Sequence, residues 1–129
     1  MLLTVDFSSE EPIYMQIRNG IVAGIAMGKL QDGDPLPSVR TLGGELGVNL
    51  HTVNKAYRLL RNEGFIRLLP SRGAEVQAGE AAKNAALFLD AAGNSLRNLI
   101  SEAVTRHVDR SAIHAMIDTL YDELEGQKT

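Results

Sequence analysis

A mainly α-helical fold, with an N-terminal winged helix-turn-helix ahead of a C-terminal pair of amphipathic helices, is predicted by three features of this 129-residue chain. Two short helical patterns flank Gly47-Val48, the first opened by Ser38 and the second closed by Gly64. Directly after Gly64 the pattern changes to strand, turn and strand, ending at Val76. From residue 79 onward apolar side chains recur at a spacing of three to four, the mark of amphipathic helices. With 44% apolar and 22% charged residues, the composition is that of a globular protein rather than a disordered one. Its length suits one ordinary domain, or a small domain with an appendage.

Residues 1–11 read as an extended arm leading into a helix. Pro12 suits the first turn of that helix, and Glu10 and Glu11 lie near its positive end. Ile13, Ile17, Ile21 and Ile25 recur every four residues and form one buried face. Gly20 and Gly24 each weaken a helix by about 1 kcal/mol relative to alanine, so either packing compensates or another segment approaches closely. The helix is expected to end near Gly28, and 31–37 is turn chemistry.

Ser38 is a good N-cap for a short helix whose inner face is Val39, Leu42 and Leu46, with Gly47 as its C-cap. Asn49 or Leu50 starts the next helix, with Val53, Ala56, Tyr57 and Leu60 inward, and Gly64 closes it. Residues 65–68 and 74–76 then read as two strands of a hairpin wing joined by the turn Pro70-Ser71-Arg72-Gly73.

In the tail, Ala85, Leu89, Ala92, Leu96, Leu99 and Ala103 make one stripe, widened by Ile100 and Val104, with Gly93-Asn94 as a possible bend. Asp109 or Ser111 caps a last helix with Ile113, Met116, Ile117, Leu120 and Leu124 on its apolar face. The chain therefore divides into 1–78, a winged helix-turn-helix, and 79–129, a helical region. Two such helices cannot bury their faces against each other alone. A second copy of the chain is the natural partner, with Leu89, Ala92, Leu96, Leu99, Ile100, Ala103, Ile113, Ile117 and Leu120 at the interface. Docking onto the chain's own winged helix is the alternative.

The formal net charge is -3, which argues against a nucleic-acid partner until its distribution is read. Between Ser38 and Gly73 stand Arg40, Lys55, Arg58, Arg61, Arg67 and Arg72 against only Glu45 and Glu63. The tail has the opposite balance. Absence of cysteine removes disulfides and thiolate metal sites. No signal-peptide pattern and no long apolar run are present, so a cytoplasmic location away from membranes is expected. Neither a Gly-rich phosphate loop nor a His–carboxylate–nucleophile set occurs, so neither enzyme activity nor a cofactor is expected. His107, His114 and Asp118 read as exposed polar residues in preference to metal ligands.

The run Leu36-Pro37-Ser38-Val39-Arg40, then Leu46-Gly47-Val48-Asn49, Thr52-Val53, Ala56-Tyr57, Leu60 and Glu63-Gly64-Phe65-Ile66, resembles the winged-helix domain of GntR-family transcription regulators. Pro12-Ile13-Tyr14-Met15-Gln16-Ile17 and Gly28-Lys29-Leu30 match as well, so the resemblance spans about residues 10–77. Asn49 followed by Thr52-Val53, and the short tail, resemble the YtrA-type branch. Gly43 and Gly44 stand where the family carries better helix formers, which predicts a softened helix. Pro70-Ser71 replaces the basic residue or glycine common at the wing tip.

The layout itself puts the second helix of the motif into a major groove, its N-terminal residues against base edges. His51, Thr52, Asn54, Lys55 and Arg58 then form the outer face, with Asn49 at the start and Leu50 able to meet a thymine methyl. Asn54 can pair with adenine, and Lys55 with guanine or a phosphate. The resemblance implies that Arg40 contacts the operator. Ser38 serves as cap, as phosphate contact, or as both. Arg72 and Gly73 belong to the wing and would meet backbone or minor groove. Three readings follow: a homodimeric repressor on an inverted-repeat double-stranded DNA operator, a regulator gated by an unknown small-molecule effector, and a protein-interaction scaffold.

Overall fold

Ser38 and Asn49 start the two helices of the central motif as side-chain caps, and Gly47 and Gly64 end them in the left-handed conformation, at φ of 69° and 88°. The computed structural model describes residues 3–70 and 73–126. Within them run α1 (Ile13–Ala26), β1 (Pro35–Leu36), α2 (Val39–Leu46), α3 (Leu50–Glu63), β2 (Ile66–Leu69), β3 (Gly73–Val76), α4 (Gly79–Lys83), α5 (Ala85–Thr105) and α6 (Arg110–Gly126). The strands form one antiparallel sheet in the order β1-β3-β2.

The main core lies under the winged helix. Ile17 and Ile21 of α1 meet Leu42 of α2, then Val53, Ala56, Tyr57 and Leu60 of α3, and Leu36, Ile66, Ala74 and Val76 of the sheet. Each large aliphatic side chain buried there contributes roughly 1.5–3 kcal/mol. Ile13 and Ile25, at the ends of the predicted isoleucine face, are only half-buried.

The strand β1 replaces a stretch expected to be only turn. Pro35 pairs with Glu75 and Leu36 with Ala74 on the sheet's edge, where a proline's missing N–H is tolerated. The N–H of Gly33 donates to the Val76 carbonyl at 2.8 Å and that of Val76 to the Asp34 carbonyl at 2.9 Å, so the loop zips onto β3.

Close approach explains the glycines of α1. A Cβ on Gly20 would lie 2.2 Å from Leu3 Cδ1, and one on Gly24 would lie 3.1 Å from Leu30 Cδ1. Gly43 is likewise not a softening of α2. A Cβ there would stand 2.7 Å from the Val48 carbonyl oxygen, and the Val48 N–H donates to the Gly43 carbonyl at 2.8 Å. The tight turn of the motif needs that bare backbone. Gly44, one residue on, faces open space. The two alanine substitutions should therefore differ in sign. Gly44→Ala should raise stability by about 1 kcal/mol through helix propensity. Gly43→Ala should lower it by about 1–3 kcal/mol through overpacking, both read from urea unfolding midpoints.

The tail departs from expectation in two places. The short α4 precedes the long helix, and α5 runs unbroken through Gly93-Asn94, because an exposed glycine among alanines weakens a helix without breaking it. α5 ends where His107 takes φ of 58°, with the N–H of Val108 on the Ala103 carbonyl at 2.9 Å. α6 begins at Arg110, which makes Asp109 rather than Ser111 the residue before it, and it touches α1. No helix of the described residues is long and apolar enough to cross a membrane.

Candidate nucleic-acid interface

The start of α2, the outer flank of α3 and the base of the wing converge on a hollow of about 420 Å³, lined by Ser38, Val39, Arg40, Asn54, Tyr57 and Gly73 with two wing leucines. Its walls are held by backbone contacts. The Ser38 hydroxyl accepts from the Thr41 N–H at 3.1 Å and donates to Thr41 Oγ1 at 2.9 Å. The buried Tyr57 hydroxyl donates to the Pro37 carbonyl at 2.7 Å. Burial, helped by the nearby Glu45 charge, pushes the Tyr57 hydroxyl's pKa well above the usual phenol range, so it stays the donor. Sequence reading placed Tyr57 inward and missed this second task, which nothing in the spacing announces.

Gly73 takes part as a shape. Its φ is 84°, and a Cβ there would come 2.9 Å from the Leu36 carbonyl oxygen and 3.2 Å from the Ser38 nitrogen. The wing can seat against the start of α2 only with glycine at this position. Arg72, the wing-tip arginine, lies outside the described residues.

Arg40 is exposed, with no hydrogen bond or ion pair among the described residues, and Arg58 is the same. Asn49 is committed in part, because its side-chain oxygen accepts from the His51 N–H at 2.7 Å as the cap of α3. His51 is exposed, and Thr52 and Asn54 are half-buried. Lys55 leaves the helix toward α1, its ammonium 4.1 Å from the centre of the Tyr14 ring. Other cations of this stretch are occupied. Arg67 pairs with Glu75 across the wing, and Arg61 donates to Asn62 at 3.3 Å. Positive charge on this face therefore narrows to Arg40, Lys55 and Arg58 among the described residues.

The expected interface residues of the tail are mostly bare in the single chain. Leu89, Leu96, Leu99, Ile100, Ile117 and Leu120 are exposed, whereas Ala92 and Ile113 are half-buried. Ala103 is a correction to the expected bare stripe: it is already buried within its own chain, with 9% of its surface exposed. It lies in a groove of about 330 Å³ between α5 and α6, along with Leu96, Ile100, Val104, Ile113 and Ile117. Leu87, Phe88 and Tyr121 are also exposed and were not singled out. Adjacent apolar residues such as Leu87-Phe88-Leu89 fall outside a three-to-four spacing, though their run was a visible signal. Among the described residues no group of three or more His, Asp or Glu side chains is placed to hold a metal ion.

Residues 13–76 match the pattern of "Bacterial regulatory proteins, gntR family". Over 127 residues the chain is 30% identical to the HTH-type transcriptional repressor YtrA of Bacillus subtilis (strain 168), covering 98% of each. A solved structure described as a transcriptional antiterminator from Listeria monocytogenes EGD-e superposes with a TM-score of 0.83 at 25% identity, over 97% of this chain and 93% of the other. YtrA from Sulfolobus acidocaldarius, a GntR-family transcription factor, gives a TM-score of 0.61 at 39% identity, over 81% of this chain and 99% of its own.

Proposed function

Because this chain belongs to the gntR family of bacterial regulatory proteins, and so is a DNA-binding transcription regulator and not an enzyme, we propose that it works as a homodimeric repressor on an inverted-repeat operator. One observation carries the reading. Arg40 and Asn54 line a single hollow framed by the wing, and Arg40 and Arg58 have no partner among the described residues. Unpaired cations beside such a hollow are what phosphate and base edges complete.

In this reading residues 1–78 bind DNA, 79–129 join two copies, and the protein acts in the cytoplasm. The two-fold dimer sets its recognition helices about 34–36 Å apart, in successive major grooves. A second reading adds an unidentified small-molecule effector. It is favoured by a cleft of about 710 Å³ where Val22 and Phe65 face Leu87 and Phe88 of α5.

A salt series of binding to the DNA upstream of the chain's own coding sequence tests the repressor reading. Affinity should fall with a log–log slope of about -0.9 for each phosphate contacted, and a scrambled duplex of equal length should bind more weakly. Equal affinity for both duplexes would overturn the operator reading, and no binding to either would leave the winged helix as a protein-interaction scaffold.

A further inference from the structure

We infer that Tyr14 of α1 is a positioning residue for DNA binding: its ring holds Lys55 in place for a phosphate on the flank of the operator. The inference rests on the reading of α3 as the recognition helix and assigns Lys55 to the sugar–phosphate backbone rather than to a base edge.

Three observations support it. First, Asn54 and Lys55 are successive residues of one α-helix and leave it about 100° apart. Asn54 points into the hollow with Arg40 and the wing, while Lys55 lies over α1 with its ammonium 4.1 Å from the Tyr14 ring centre. Lys55 is thus directed away from the hollow where bases would be read. Second, Tyr14 is half-buried and packs against the core, so its ring is a fixed platform. A lysine side chain is flexible, and loses rotamer freedom when it is held in one place. A ring that already limits that freedom removes part of the loss on binding.

Third, the contact leaves the cation available. Arg18 also lies over a ring, that of Phe65 at 5.4 Å, but Glu63 takes its guanidinium at 2.7 and 3.0 Å. Arg67 is taken by Glu75. Lys55 has no hydrogen bond or ion pair among the described residues. Attraction to a π face uses the ammonium's charge and leaves N–H donors for an anion.

Five forms of the full chain test this: wild type, Tyr14→Phe, Tyr14→Leu, Lys55→Met and the Tyr14→Leu/Lys55→Met double variant. Each is titrated against the upstream duplex and a scrambled duplex over a range of salt. Lys55→Met should weaken both duplexes by the same factor and reduce the salt slope by about 0.9 per bound subunit. Tyr14→Leu should weaken both about 2- to 5-fold per subunit with the slope unchanged, and Tyr14→Phe should match wild type. In the Lys55→Met background Tyr14→Leu should have no further effect. In the free protein, the Lys55 Cε protons should be shifted upfield by the ring, and the shift should vanish in Tyr14→Leu.

An equal loss from Tyr14→Leu in both backgrounds would make Tyr14 merely structural. Tighter binding by Tyr14→Leu would mean that the ring parks Lys55 away from DNA. A loss confined to the upstream duplex in Lys55→Met, with the slope unchanged, would make Lys55 a base reader. Each of these overturns the inference. If wild type itself does not discriminate the two duplexes, the operator reading fails instead, and the proton shift still reports on the Tyr14–Lys55 contact.

Discussion

Leu96→Asp is expected to turn a dimer into a monomer and to weaken operator binding by about 100-fold or more, the scale on which linking two binding modules multiplies affinity. Leu96 is 48% exposed in the single chain and lies in the α5–α6 groove beside Ile100, Val104 and Ile117. In the proposed dimer a partner covers that face, and a carboxylate buried there without a counter-charge costs several kcal/mol. Sedimentation equilibrium reads the association state, and fluorescence anisotropy reads the binding. The main core is drawn from residues 17–76, so the winged helix should keep its unfolding midpoint. A variant that stays dimeric would move the interface elsewhere in the tail.

Arg40→Ala should cost on the order of 1–3 kcal/mol per half-site in operator affinity and should relax sequence preference. The guanidinium is exposed and makes no hydrogen bond or ion pair among the described residues, so stability should change by less than about 0.5 kcal/mol. That separation is the diagnostic: a large binding loss in a protein that unfolds as wild type does. Competition with scrambled DNA checks the rest. Equal weakening on both duplexes would make Arg40 a phosphate contact.

Much of this architecture was legible because caps and glycines punctuate it. Ser38, Gly47, Asn49 and Gly64 bound α2 and α3 where the pattern placed them, and the apolar positions between them are those the core uses. Elements set by tertiary contact were not legible. β1 exists only because Leu36 finds Ala74 on a distant strand, and α4 only where the chain folds back on the end of α3. Gly43 was misread for the same reason: its value lies in the Val48 carbonyl across the turn, not in helix propensity.

At the site, residue types and the Ser38 cap were foreseeable, and the resting place of Lys55 was not. Asn49 and Ser38 spend side-chain oxygens on caps, and Lys55 rests on Tyr14, a residue that periodicity marks only as part of α1. The tail stripe was visible as a pattern. That Ala103 is covered by its own chain, while Leu87 and Phe88 are 68% exposed, needed the packing of the helices.

The chain returns to the end of α3 after the wing. The Ala81 N–H donates to the Gly64 carbonyl at 3.1 Å, the Ala78 N–H to Asp32 at 3.0 Å, and a Cβ on Gly64 would strike the Ala81 nitrogen at 2.8 Å. The winged helix and the start of the tail are therefore bonded to each other rather than only linked in sequence. In the proposed dimer, such a joint favours a set distance and angle between the two copies of α3. Such a protein measures DNA as well as reading it. Each base pair inserted between half-sites moves the second one by about 3.4 Å and turns it by about 35°, since a helical turn of 10–10.5 base pairs spans about 34–36 Å. If those contacts hold in the proposed dimer, spacing becomes a specificity element beside sequence.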